Sequence, residues 1–157
     1  MAENVGEKKQ YSKKLVFYKA TKSLSGSAVQ FDLNAQKEAV FLELSRQKGE
    51  REFDWQNKLS FKLAAADIGK LLLVLKRRVP SIELFHDPGK GGYSLGEIAR
   101  NNTLSFSRDD KSGRFSIRVG QQAADGSVNS ISAFLSEDEA LLLELMLGRA
   151  LERIYGW

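Results

Sequence analysis

The hydrophobic period of this chain changes three times, and that succession restricts the fold more than any single residue does. Apolar residues recur at every second position through four short segments and then at helical spacing. They return to every second position through four more segments and finish at helical spacing again. Period-two alternation gives a strand one apolar and one polar face, whereas i, i+3, i+4, i+7 spacing gives a helix an apolar stripe. Strands joined by short turns form antiparallel sheets. The expected fold class is therefore α+β: two antiparallel four-stranded sheets plus two main helices, in the order ββββα-ββββα.

Residues 13–19 read as the first strand, with Leu15 and Phe17 set against Lys14 and Val16. Residues 29–33 and 40–44 follow as the second and third, separated by turns expected at 23–27, 34–36 and 47–50. The fourth strand, 53–63, is the clearest. Phe53, Trp55, Leu59, Phe61 and Leu63 share one parity, and Asn57 is the exception. Residues 64–78 then place Ile68, Leu71, Leu72 and Leu75 on one helical stripe, which Leu73 and Val74 widen. Lys76, Arg77 and Arg78 suit the negative end of the helix dipole, and Val79-Pro80 stops the helix.

In the second half, Ile82 and Leu84 open a fifth strand that Asp87-Pro88 ends. A glycine-rich loop, 89–96, carries Lys90 and Tyr93. Leu104 and Phe106 mark a sixth strand, residues 115–119 a seventh and 128–134 an eighth, with hairpin turns expected at 109–113 and 124–126. Ser136 and Glu139 have the spacing of a capping box. The helix behind them is apolar nearly all the way round, from Leu141 to Ile154. A helix resting on one sheet needs only one apolar stripe. Burying a leucine is worth about 1.5–3 kcal/mol, so the second face is expected to meet helices of other copies in a closed symmetric oligomer. The alternative is that two sheets of one chain cover both faces.

A length of 157 residues fits one domain, read here as 13–157 behind a flexible polar tail at 1–12. With no cysteine, disulfides, thiolate zinc sites and cysteine nucleophiles are excluded, and one histidine excludes a histidine-rich metal centre. No apolar run approaches the ~20 residues that span a bilayer, and the polar first ten residues show no signal peptide. A cytoplasmic or nucleoid-associated location is expected, with no membrane partner. Catalytic motifs fail on inspection. Gly89-Lys90-Gly91-Gly92 lacks phosphate-loop spacing; His86 beside Asp87 has no serine nucleophile in an elbow motif, so Asp87-Pro88 reads as a turn and His86 as structural or hydrogen-bonding. Glu137, Asp138 and Glu139 suit a helix N-terminus better than a metal. No enzyme and no cofactor is expected.

The net charge is +4, distributed as +4 over residues 1–22, +4 over 70–114 and −4 over 121–157. Basic charge is thus kept off the last helix, which suits an anionic partner on the sheets, with a solvated mixed surface as the plainer alternative. Phe17, Tyr18, Trp55, Phe85, Tyr93, Phe106 and Phe115 are interleaved with Lys14, Lys19, Lys22, Lys58, Lys62, Lys90, Arg100, Arg114 and Arg118. Binders of single strands need both kinds of residue: cations follow the phosphates and aromatic faces take unstacked bases. Phe31, Phe61 and Phe134 are read as core.

Four segments carry a resemblance: Gly49-Glu50-Arg51-Glu52-Phe53-Asp54-Trp55, Asp67-Ile68-Gly69-Lys70-Leu71, Leu84-Phe85-His86-Asp87-Pro88 and the closing Gly156-Trp157. In that order they resemble the GERxYDW, EVGSL, FFHDP and terminal GW segments of the Whirly family, over about residues 14–157. The family's KGKAAL box is matched at Lys19 and Leu24, with Lys22 a nearby second cation. The resemblance implies a homotetramer with helices at its centre. Single-stranded DNA is then bound between sheets of adjacent protomers with weak sequence preference, in genome maintenance, repair, recombination or transcription. RNA binding of the guide-RNA-binding type, or a structural scaffold, remains the alternative. The expected contacts are Lys19 and Lys22 to phosphates, Tyr18 and Trp55 to bases, and Lys58, Lys90, Tyr93 and Arg114 in support.

Overall fold

Alternating side chains close the first half of the chain into one antiparallel sheet. The computed structural model describes residues 13–86 and 101–157. Expectations placed on 1–12, Asp87-Pro88, the 89–96 loop with Lys90 and Tyr93, and Arg100 lie outside those residues. Strand β1 (Leu15–Lys19) pairs with β2 (Ser27–Asn34), and β2 with the long β3 (Ala39–Gly49). The short β4 (Glu52–Phe53) and β5 (Leu59–Ala64) both pair with β3, on the side away from β2. This sheet therefore has five strands rather than the expected four. The segment read as one strand over 53–63 is broken by a 3-10 turn at Trp55–Asn57, where the Asn57 side-chain amide donates to Asp54 Oδ2 at 2.8 Å. The break accounts for Asn57 as the exception to the alternation. The turn expected at 47–50 also moves, because β3 continues through Gly49 with a bulge between Gln47 and Gly49.

Helix α1 (Ala65–Leu75) follows and buries Ile68, Leu71, Val74 and Leu75. Its first turn is closed by the Ala64 N–H, which donates to Asp67 Oδ2 at 3.0 Å. It stops short of the expected residue 78. Arg77 takes a left-handed backbone (φ 59°), and the N–H groups of Arg78 and Val79 turn back to the Leu73 carbonyl. The second sheet runs β6 (Ser81–His86), β7 (Asn102–Arg108), β8 (Phe115–Gln122) and β9 (Val128–Leu135), all antiparallel and in that order. Helix α2 (Glu137–Tyr155) ends at Gly156, whose left-handed φ of 72° only glycine adopts at low cost.

The sheets face each other. Strand β9 packs on β1, β2 and β3, and β5 meets β7 and β8. Leu42, Leu44, Phe61 and Leu63 from one side and Leu104, Phe106, Ile117 and Val119 from the other form a common core. His86 plays the structural part expected of it, stacked on Phe61 (ring centroids 4.2 Å apart) with Nε2 3.2 Å from Asp67. The helices touch one another. Arg77 Nη2 donates to Glu137 at 2.9 Å, so a residue expected to serve α1's own dipole pairs with α2 instead. Only one stripe of α2 enters the core: Ala140, Leu143, Leu147 and Ala150. Leu141, Leu142, Leu145 and Met146 are 45–62% exposed, so the sheets of a single chain do not cover the second apolar face.

Candidate nucleic-acid interface

Adjacent residues of a strand point to opposite faces, so Tyr18 and Lys19, expected to act together, serve two different surfaces. Tyr18 is 62% exposed on the outer face of the first sheet, tilted against Phe53 with ring centroids 5.4 Å apart. The 3-10 turn brings Trp55, half-buried, to the same hollow, which Ala20, Lys48, Arg51 and Glu52 complete. Lys58 lies on this sheet too, its ammonium 2.5 Å from Glu43 Oε2, which also accepts from Gln30 at 3.2 Å. Two expected aromatic contacts therefore meet, ringed by Lys48 and Arg51, two exposed cations that sequence reasoning did not single out. The signal for them was the bulge in β3, invisible before the register was known.

On the other side of the β1–β2 turn a second groove is lined by Lys19, Ser27, Arg114, Ser132 and Phe134. The Arg114 guanidinium stands 5.9 Å from the Phe134 ring centroid, a cation–π spacing. Further along the same rim, Arg46 donates to Asn129 Oδ1 at 2.6 Å and to the Ser130 carbonyl at 2.7 Å, and Arg118 donates to Ser130 Oγ at 2.9 Å. Lys22 is exposed on the turn between the two surfaces.

Several aromatic expectations are reversed. Phe17, Phe106 and Phe115, read as surface residues, are 7%, 0% and 3% exposed, whereas Phe134, read as core, is 54% exposed. The reason is parity. Phe17 shares a face with Leu15, Phe106 with Leu104, and Phe115 with Ile117, all turned to the opposite sheet. Phe134 stands opposite to Ile131, Ala133 and Leu135, which fill the core. Phe85, opposite in parity to Leu84, is 61% exposed as expected.

Lys19 is not a free cation. Its ammonium pairs with Glu139 Oε1, the same oxygen that accepts the Ser136 N–H at 3.0 Å and its hydroxyl at 2.8 Å. Burial works to raise the Glu139 carboxyl, but the Lys19 hydrogen bond and the two from Ser136 outweigh it and hold it below its ordinary 4.5. A carboxyl depressed by folding stabilises the fold above its unfolded value, and that contribution is lost as pH falls through the folded one. The melting temperature is therefore expected to fall as pH drops below about 4.5. Glu139→Gln, which keeps the cap, should flatten that fall in a melting series by circular dichroism. An unchanged profile would show that the pair carries no stability.

Among the described residues, no group of three or more histidine or acidic side chains is placed to hold a metal, and no helix is long and apolar enough to cross a membrane. The family model described as Whirly transcription factor matches residues 20–146. The chain is similar to the mitochondrial single-stranded DNA-binding protein WHY2 of Arabidopsis thaliana, at 24% identity over 109 residues. That match takes in 69% of this chain but only 44% of the relative. Among solved structures it superposes on WHY3 of Arabidopsis thaliana (TM-score 0.76, 20% identity, 94% of this chain and 91% of that one) and on WHY1 of the same plant (0.74, 21%, 92% and 86%). The plant transcriptional regulator PBF-2 superposes with a TM-score of 0.72 at 20% identity, over 93% of this chain and 92% of its own. With the family match covering most of its length and the two-sheet, two-helix fold shared, the chain is a member of the Whirly family.

Proposed function

We propose that this protein binds single-stranded DNA without strong sequence preference, as a homotetramer assembled through α2, and that it protects transiently unpaired DNA rather than transforming it. The observation that carries the reading is the hollow in which Tyr18, Phe53 and Trp55 stand beside the exposed cations Lys48 and Arg51. Aromatic faces contribute about 1–3 kcal/mol per stacked base whatever the base, and cations follow the phosphates. The groove of Lys19, Arg114 and Phe134 repeats this chemistry across the β1–β2 turn. With the second face of α2 packed on its copies, the two surfaces of neighbouring protomers would form one path. A location with DNA, at a nucleoid, follows from that role, as does action in repair or transcription.

Titration with fluorescent oligo-dT across a salt series tests this. The logarithm of the affinity should fall linearly with log salt, with a slope of roughly −0.7 per phosphate neutralised. Trp55→Ala should weaken binding about ten-fold, within the range for one stacked base, while the protein stays folded. A matched oligo-U should bind more weakly than oligo-dT. Affinity indifferent to salt, or equal for Trp55→Ala, would refute the proposal.

A further inference from the structure

One buried side chain that lines neither the hollow nor the groove bridges the β1–β2 and β3–β4 turns. Gln47 is 7% exposed and sits at the bulge where β3 passes from pairing with β5 to pairing with β4. Its carboxamide Oε1 accepts the N–H of Thr21 at 2.9 Å and of Gly26 at 3.0 Å. Its Nε2 donates to the carbonyls of Thr21 at 3.2 Å, Gly49 at 3.0 Å and Glu50 at 3.3 Å. Two lone pairs and two protons are thus all in use, the protons shared among three acceptors.

Thr21, Gly26 and Glu50 lie in turns outside the strands, and Gly49 is the last residue of β3, opposite Glu52. Thr21 and Gly26 bracket the β1–β2 turn, which carries Lys22 and leads on from Tyr18 and Lys19. Gly49 and Glu50 open the β3–β4 turn, which carries Arg51 and leads to Phe53 and Trp55. The first turn is drawn in tightly. A Cβ on Gly26 would lie 2.0 Å from the Lys19 carbonyl oxygen and 2.7 Å from Gln47 Oε1, so only glycine fits. At its tip Leu24 takes a left-handed backbone (φ 59°), a conformation that surrounding contacts must hold.

We infer that Gln47 is a positioning residue for the nucleic-acid interface: its single carboxamide sets the distance between the turn that carries Lys22 and the turn that carries Arg51, and so between the Tyr18–Trp55 hollow and the Lys19–Arg114 groove. It acts without touching the strand. This rests on the single-stranded DNA reading above. An apolar side chain of the same length fills the space but leaves the Thr21 and Gly26 N–H groups without their acceptor and the Gly49 and Glu50 carbonyls without this donor, while the Thr21 carbonyl keeps the Leu24 N–H at 3.2 Å; turns in that state open towards water.

The test compares wild type, Gln47→Met and a core control, Ile117→Ala, each folded by circular dichroism at the assay temperature. Gln47→Met is expected to bind oligo-dT at least ten-fold more weakly with an unchanged salt slope, because every cation is still present. Amide exchange at Thr21 and Gly26 should speed up at least ten-fold. Ile117→Ala, which lowers the melting temperature without reaching either turn, should bind as wild type does. If Gln47→Met fails to fold, Gln47→Glu takes its place. Its carboxylate still accepts from Thr21 and Gly26 but cannot donate to Thr21, Gly49 or Glu50; the β1–β2 turn keeps both N–H bonds and the Leu24 N–H on the Thr21 carbonyl, so the β3–β4 turn is the one released. Quenching of Trp55 by oligo-dT, in a Trp157→Phe background, should then be lost. Wild-type affinity in a folded Gln47→Met, retained quenching in Gln47→Glu, or an equal loss in Ile117→Ala overturns the role of Gln47 alone. Absence of oligo-dT binding by wild type overturns the functional reading, and this inference with it.

Discussion

Leu145→Arg is expected to reduce the proposed homotetramer to single protomers, and single-strand binding should fall with it. Leu145 is 62% exposed at the middle of a face that it shares with Leu141, Leu142 and Met146. The stripe that holds α2 to its own sheets, from Ala140 to Ala150, does not include it, so the substitution leaves the protomer core intact. Each leucine buried between helices contributes about 1.5–3 kcal/mol, and closed symmetry repeats the contact in every copy. A charge at that position must be desolvated in each of them. Multi-angle light scattering should show the mass of one chain, with circular dichroism unchanged. Oligo-dT binding should weaken at least ten-fold, because the proposed path runs between neighbouring sheets and needs more than one protomer. A variant that keeps its assembled mass would place the interface elsewhere.

Phe106→Ala and Phe134→Ala will have opposite phenotypes. Phe106 is fully buried, stacked on Phe115 with ring centroids 5.8 Å apart, between the two sheets. Emptying such a site costs about 3–5 kcal/mol, a large part of the stability of a domain this size, so melting should collapse. Phe134 is 54% exposed and lies beside Arg114 on the groove. Its loss should change stability by less than about 0.5 kcal/mol, as surface substitutions do. Binding should weaken about ten-fold, in the range for one stacked base. Thermal melts run beside oligo-dT titrations separate the two. Weakened binding by a stable Phe106→Ala would mean that the second sheet had been placed inside out.

Much of the fold was legible because period is a local property. Leu104, Phe106, Ile117 and Val119 alternate in the sequence and face the opposite sheet in the structure, and the helix start at Ser136 and Glu139 is written in residue types. The faces of the aromatics were legible as well, had parity been applied to Phe134 and Phe106 as strictly as it was to Leu59 and Leu63. The break at Trp55–Asn57 left one sign, the polar Asn57, because Phe53 and Trp55 keep the parity of β5. The use of Lys19 was not legible, since its partner Glu139 is 120 residues away and only chain folding brings the two together.

The strand–helix–strand–helix succession, the capping box that starts the last helix, and a second apolar face on that helix follow from the order of residue types alone, because each depends on neighbours within a few positions. Tertiary structure alone decided which cations are free and which are spoken for, and how Gln47 spans two turns. It also decided that Tyr18 shares a hollow with Trp55 while Lys19 turns to Glu139. Those outcomes depend on register and on the approach of distant strands, and no local pattern encodes a distance across a sheet.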